Sequence, residues 1–425
     1  MNMNQSRRDF LKMLGTAGVI GVSTNLFPQW MPRMAFAQSQ ADVRGDVLVV
    51  IFLRGGIDGL SAIVPYGDGA HYYDARPTQR VGEPGSGAHA AIDLDGYFGM
   101  HPSFAPLADL YRASALAVVH ATGLTDSTRS HFDAMQFMEY GLPGNRSAAT
   151  GWIGRHLETA ATRNESPFRA VGIGAMVPTS LRGSHVPLSL RSIADFHLRG
   201  RENELRAAQQ TLMNLYSVEA PKDRLDAQAR LVFDTVDMLR DISVAHYQPA
   251  NGAQYPNDDE GFGMGMQQIA QLIKADVGLE VACIDLGGWD THENQGTQGG
   301  FFSAQLSVLA QGLHAFYTDV QDHMANITVV TMSEFGRRVV ENASAGTDHG
   351  HGNFMLLMGG GVSGGRVYAN WPTLAPERLN DGDLAITTDY RDVLAEVLTQ
   401  RMRNPAIEQI FPNFTHTPQG ILIPR

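Results

Sequence analysis

Seven consecutive residues, Val47 to Leu53 (VLVVIFL), are apolar and rich in β-branched side chains. That pattern predicts a strand buried on both faces. Shorter runs of the same kind recur at Leu116 to His120 (LAVVH), Ala170 to Gly174, Glu280 to Leu286 (EVACIDL), Ile327 to Met332, and Phe354 to Met358 (FMLLM). Between them the apolar positions fall at helical spacing. One such stretch follows His101-Pro102-Ser103, with Phe104, Leu107, Leu110 and Tyr111. Others run from Ser130 to about Tyr140, where Gly141 stops the helix, from Met264 to Ile273, from Phe301 to Met324, and from Tyr390 to Met402 with Asp389 as cap. Met135 and Met138 are read as core. Residues 64–100 are rich in Gly, Pro and Tyr and are expected to be irregular. Residues 201–245 are charged and helical in period, with a break at Ala220-Pro221, and read as a cap or side lobe. Strands alternating with helices predict an α/β fold: a doubly wound, mostly parallel sheet flanked by helices.

Composition narrows the setting. The net charge of −12 argues against nonspecific nucleic-acid binding. Cys283 is the only cysteine, which excludes an internal disulfide and a cysteine zinc cluster. Ser6-Arg7-Arg8-Asp9-Phe10-Leu11-Lys12 precedes a weakly apolar stretch and a small-residue site at Ala35-Phe36-Ala37. These features predict a twin-arginine signal peptide over residues 1–37, with the twin-arginine translocase as partner during export and the periplasm as destination. Its removal takes the net charge to about −15, since residues 1–37 hold four basic groups and one acid. No later apolar run reaches the roughly 18 residues that span a bilayer. The expected mature chain is one domain, 38–425, with a helical insertion around 201–245.

The polar residues that follow the predicted strands carry the candidate chemistry. Asp58 follows the first strand through Arg54-Gly55-Gly56-Ile57. Gly287-Gly288-Trp289-Asp290-Thr291-His292 follows EVACIDL, and Glu334 follows Ile327 to Met332. Asp348-His349-Gly350-His351 leads into FMLLM. Ligands crowded at strand ends are what an open α/β sheet presents at its functional edge. Carboxylate with imidazole suits Zn, Mn or Fe, so Asp58, Asp290, His292, Glu334, Asp348, His349 and His351 are the expected ligands of a divalent ion. In Asp126-Ser127-Thr128-Arg129-Ser130-His131, Thr128 and Ser130 are candidate nucleophiles or helix caps, and Arg129 is suited to a small anionic substrate. Gly359, Gly361 and Gly364 fit G-x-G-x-x-G, but no helix pattern follows, so a dinucleotide site is rejected. A G-x-S-x-G elbow is absent from the sequence.

The signal SRRDFLK, with FLRGGIDGLS, RSHFDAMQFMEYG, GGWDTHENQ and TMSEFGRR…GTDHGHG, resembles the bacterial exported family filed as domain of unknown function 1501. That family is placed beside the alkaline phosphatase and sulfatase superfamily. The resemblance implies a sulfatase-like α/β domain, a metal (Zn, Mn, Ca or Mg) and hydrolysis of phosphate or sulfate esters. It makes Asp58 the aspartate after the first strand and Thr128 or Ser130 the nucleophile. Asp290 and His292 become the Asp-His pair, Glu334 stands for an aspartate, and His349 or His351 is the final histidine. The Asp-x-His spacing is shorter than the superfamily's Asp-x-x-x-His, and one histidine is missing. These departures leave a second reading open: a catalytically degenerate binding or assembly protein of the envelope.

Overall fold

The computed structural model describes residues 46–161, 164, 166–183, 187–193 and 247–424, with isolated positions between 211 and 236. The expected signal peptide and nearly all of the expected helical insertion lie outside the described residues. Nine strands form the main sheet: β1 (Val47–Leu53), β2 (Leu116–Gly123), β3 (Ala170–Ile173), β4 (Leu188–Leu190), β5 (Val281–Leu286), β6 (Ile327–Met332), β7 (Asn353–Gly359), β8 (Val367–Tyr368) and β9 (Thr388–Asp389). Their order is β8-β2-β7-β6-β1-β5-β3-β4, with β9 also on β2. Every pairing in it is parallel except those of β7, which runs antiparallel to both β2 and β6.

Alternation along β1 shows how this pattern folds. Val47, Val49, Ile51 and Leu53 point into one core, and Leu48, Val50 and Phe52 into the other. The first core is closed by α1 (Ala105–Arg112), α4 (Phe262–Lys274) and α5 (Phe301–Asp319). The second is closed by α2 (His131–Tyr140), α3 (Trp152–Thr159) and α6 (Tyr390–Gln400). With both faces covered, each large apolar side chain of β1 contributes about 1.5–3 kcal/mol from burial, before its ordering entropy is subtracted. A charge at Ile51 would forfeit that and leave an unpaired ion in the middle of the sheet. The doubly wound, mostly parallel architecture expected from the pattern is the one observed.

Several local expectations change. LAVVH continues to Gly123, fully buried. The predicted helix ending at Met324 stops at Asp319, and a 3-10 segment, Gln321–Asn326, follows. Residues 64–100 are not wholly irregular, because Ile63–Val64, Ile92–Asp93 and Gly99–Met100 make a small antiparallel sheet. Neither α3 nor β4 was expected; α3 is eight residues long and β4 three, too short for a periodicity to stand out.

The antiparallel β7 matters most for function. Because it runs against its neighbours, its amino end opens on the same edge as the carboxyl ends of β1, β2, β5 and β6. Loops from five strands therefore meet there.

Candidate metal centre

Asp290 and His292 come from the loop after β5, Glu334 from the end of β6, and Asp348 and His349 from the approach to β7. His131 is the first residue of α2, which follows β2 and is capped by Ser130. These loops approach closely because glycine lines the contacts. Gly55 has φ +120, and a Cβ there would sit 2.7 Å from the Asp290 nitrogen. At Gly346 it would sit 2.2 Å from the His292 carbonyl oxygen. One buried guanidinium then ties the loops together. Arg337 donates to the carbonyls of Gly56 (2.6 Å), Thr347 (2.8 Å), Trp289 (3.0 Å) and Gly55, and to Asp290 Oδ1 (2.8 Å).

The donor atoms converge. His131, Asp290 and His349 each offer one ligand atom within 4.8 Å of the others, the one such group among the described residues. His349 Nε2 lies 2.8 Å from His131 Nε2, 2.8 Å from His292 Nε2 and 3.2 Å from Asp290 Oδ1. Asp290 Oδ1 is 3.4 Å from His131 Nε2 and 3.0 Å from His292 Nε2. The Phe335 ring packs beside His131 and His349, with centroids 4.7 and 4.8 Å away, and limits how far either imidazole can turn. The open side is reachable, since the Asp290 side chain is 49 % exposed.

The other ring nitrogens fix the tautomers. His349 Nδ1 is 2.9 Å from the Arg129 carbonyl oxygen, which can only accept. His131 Nδ1 donates to Glu334 Oε1 at 2.7 Å, and His292 Nδ1 to Asp348 Oδ1 at 2.9 Å. Each neutral ring therefore turns a bare Nε2 lone pair toward the others. His349 has one such lone pair and cannot accept a proton from both neighbours at once. Bare lone pairs 2.8 Å apart repel unless a cation faces them. A tetrahedral ion with bonds of about 2.0–2.1 Å holds its donors about 3.3 Å apart; the spacings of Asp290 from His349 and His131 (3.2 and 3.4 Å) match that, and the two 2.8 Å imidazole pairs are tighter. Imidazoles held from behind by carboxylates or a carbonyl are the usual surroundings of metal-ligating histidine.

The charges pull in two directions: the low Asp290 and His349 favour a cation facing bare nitrogens, and the raised His131 favours its own imidazolium. Burial raises the Asp290 pKa, but the Arg337 guanidinium outweighs it and brings the carboxyl down to about 2. Burial lowers His131, and the Glu334 carboxylate more than offsets it, so His131 is raised. Burial lowers His349, only partly countered by Asp290. The His292 hydrogen bond holds Asp348 below the ordinary carboxylate range. Asp290, Glu334 and Asp348 stand against Arg337, leaving two negative charges for a divalent ion to offset.

The expected site residues divide into groups. Asp290, His292 and His349 come together. Glu334 and Asp348 are present but bind histidine Nδ1 atoms; Glu334 also accepts from the Gly55 nitrogen at 2.8 Å. Asp58 lies outside the converging group, fully buried, where its Oδ2 meets Arg76 and accepts from Ser61 (2.7 Å) and Gln295 (2.7 Å). His351 stands 3.7 Å from Asp383, which is paired with Arg129 at 2.6 Å. Thr128 Oγ1 accepts from the Ser130 nitrogen at 3.2 Å, and Ser130 Oγ from the Asp133 nitrogen at 3.5 Å, so both hydroxyls serve the helix start. The residue among the converging donors that sequence reasoning did not offer as a ligand is His131. Its signal was a histidine directly after a cap serine, beyond the carboxyl end of a buried strand.

Residues 46–404 match the family described as "Protein of unknown function (DUF1501)". No curated protein matches the chain. Among solved structures, the lipoteichoic acid synthase LtaP from Listeria monocytogenes is 10 % identical, with 83 % of this chain and 78 % of that one aligned and a TM-score of 0.34. The C-terminal periplasmic domain of EcEptC from Escherichia coli, solved in complex with Zn, is 10 % identical, covering 77 % of each chain at a TM-score of 0.32. Thermus thermophilus alkaline phosphatase is 14 % identical over 74 % of this chain and 64 % of that one, at 0.29. Likenesses this distant say nothing of activity.

Proposed function

For this chain, which belongs to the DUF1501 family, we propose a metal-dependent hydrolase of phosphate or sulfate esters that acts in the periplasm. The observation that carries the reading is the meeting of three imidazole Nε2 atoms and one carboxylate oxygen on an open edge of the sheet. His131, His292, His349 and Asp290 would hold the ion. Three imidazoles favour zinc or another borderline transition metal over calcium or magnesium. A bound divalent ion supplies Lewis acidity toward an ester oxygen.

The chain's own residues supply the rest. Glu334, Asp348 and the Arg129 carbonyl hold the three rings in the tautomer that presents Nε2. Arg337 keeps Asp290 ionised and its loop in place. Thr128 and Ser130, just before His131 in the chain, are the hydroxyls offered as nucleophile, with water as the alternative. Arg129 is the anion-holding candidate, and it would have to loosen its pair with Asp383 to serve. That engagement, with both hydroxyls committed to the helix start, favours a second reading: a metal-bearing binding protein of the envelope without turnover.

The test is a screen of aryl phosphates, phosphodiesters and aryl sulfates with zinc- or manganese-loaded protein. Hydrolysis that disappears in Asp290→Ala supports the enzyme. A loaded protein inert toward all three classes supports the envelope binding protein. Periplasmic fractionation of the wild type and an Arg7→Lys, Arg8→Lys variant tests the destination; export that survives the double change contradicts the twin-arginine route.

A further inference from the structure

Asp58, expected as a ligand, sits in a buried chain of hydrogen bonds that reaches the ligand loops from behind. The connecting residue is Gln295, itself fully buried. Its Nε2 donates to Asp58 Oδ2 at 2.7 Å and to Thr297 Oγ1 at 3.1 Å. Its Oε1 accepts from Thr291 Oγ1 at 3.1 Å and Thr347 Oγ1 at 2.7 Å. The amide orientation is unambiguous, because an ionised Asp58 accepts only. Thr291 lies between Asp290 and His292, and Thr347 lies directly before Asp348-His349. The two threonines also meet through their backbones, Thr347 nitrogen to Thr291 oxygen at 3.1 Å.

Asp58 reaches the third loop through Arg76, which donates to the carbonyls of Val339 (2.9 Å) and Arg338 (2.8 Å) just beyond Arg337. Burial raises Asp58, but Arg76, Gln295 and Ser61 outweigh it and hold the carboxyl ionised. A charge fixed this deep is a rigid reference point.

We propose that Gln295 is a positioning residue, which sets the spacing of the Asp290-His292 and Asp348-His349 loops from the buried Asp58 carboxylate, so that Asp58 acts on a bound metal through Gln295 and not as a ligand. The inference rests on the metal reading of the site. One residue ties both donor loops to a single carboxylate, so loss of its contacts spreads the donors without removing any of them.

Purified full chain, stripped with chelator, is titrated with Zn²⁺ by calorimetry and with Co²⁺ by visible absorption, which reports ligand geometry. Thr347→Val keeps the side-chain shape and removes the hydroxyl; Thr347→Ser keeps the hydroxyl. The valine variant is expected to lose about tenfold in zinc affinity and to shift the cobalt bands, with the metal-free melting temperature near wild type and serine restoring both metal readouts. Gln295→Met is expected to lose more. If it fails to fold, the Thr347 pair still decides. Wild-type zinc affinity and cobalt spectrum in Thr347→Val overturn the proposal, as does a serine variant that loses as much as valine. A wild type that binds neither ion overturns the metal reading itself and the proposal with it.

Discussion

Two aspartates leave the same edge of the sheet, each a few residues beyond a parallel strand, and they end in opposite circumstances. Asp58 is fully buried, with one oxygen shared by Arg76, Ser61 and Gln295. Asp290 is half-exposed and faces the Nε2 atoms of three imidazoles. The first network carries its own counter-charge in Arg76, although all its contacts fall on Oδ2 and Oδ1 is buried without a partner. The second gathers electron pairs and negative charge without enough cations among its own residues. A carboxylate at a strand end is thus not a ligand by position alone; both aspartates have a buried guanidinium partner, and what separates them is that Asp58 is sealed among its partners while Asp290, beside Arg337, is left half-exposed toward the imidazoles.

The largest effect expected from this contrast is on stability. Arg76→Met leaves Asp58 as a lone buried charge and should cost about 3–5 kcal/mol in denaturant unfolding of the metal-free protein. A cost below about 1 kcal/mol would mean that the Asp58 network is not the closed pair described. His349→Ala should behave in reverse. It removes the nitrogen nearest both other rings, so zinc affinity falls by about 100-fold or more while metal-free stability changes little, and calorimetry beside chemical denaturation separates the two. Glu334→Gln keeps an acceptor for the His131 Nδ1 proton but removes its charge. About a tenfold loss of zinc affinity is expected there. Unchanged affinity would mean that Glu334 does not tune the ring.

The smallest effect is in pH. The folded pKa of Asp58 is depressed below its ordinary 3.8, so its ionised form is favoured by folding. Its contribution is fully present above about pH 4 and is lost as pH falls through the folded value. Unfolding measured between pH 3 and 7 should show a shallower acid limb in Asp58→Asn than in the wild type. An identical limb would place the acid sensitivity elsewhere.

Much of this was legible in the chain. The strands announce themselves because a parallel sheet covered on both faces needs unbroken β-branched runs such as VLVVIFL. Asp290, His292 and His349 were visible because they follow or precede such runs directly. His131 was not, because a histidine at a helix start is ordinary and the stretch around it drew notice for its hydroxyls. Glu334 holds His131 from behind, Nδ1 to Oε1 at 2.7 Å. That Asp58 stands apart from the converging donors was not visible, because its partner, Arg76, stands 18 residues away in a Gly- and Pro-rich segment with no periodicity to place it. Glu334 and Asp348 read as ligands for a similar reason: spacing brings a carboxylate to a site but does not say which atom it faces.

The most direct test of the central claim is metal stoichiometry. Chelator-stripped wild-type protein titrated with zinc should bind one ion per chain, gain thermal stability on binding, lose that gain in His131→Ala, Asp290→Ala and His349→Ala, and keep most of it in Asp58→Asn, whose amide oxygen can still accept from Gln295. A protein that takes up no stoichiometric metal and melts at the same temperature with and without it would contradict the account.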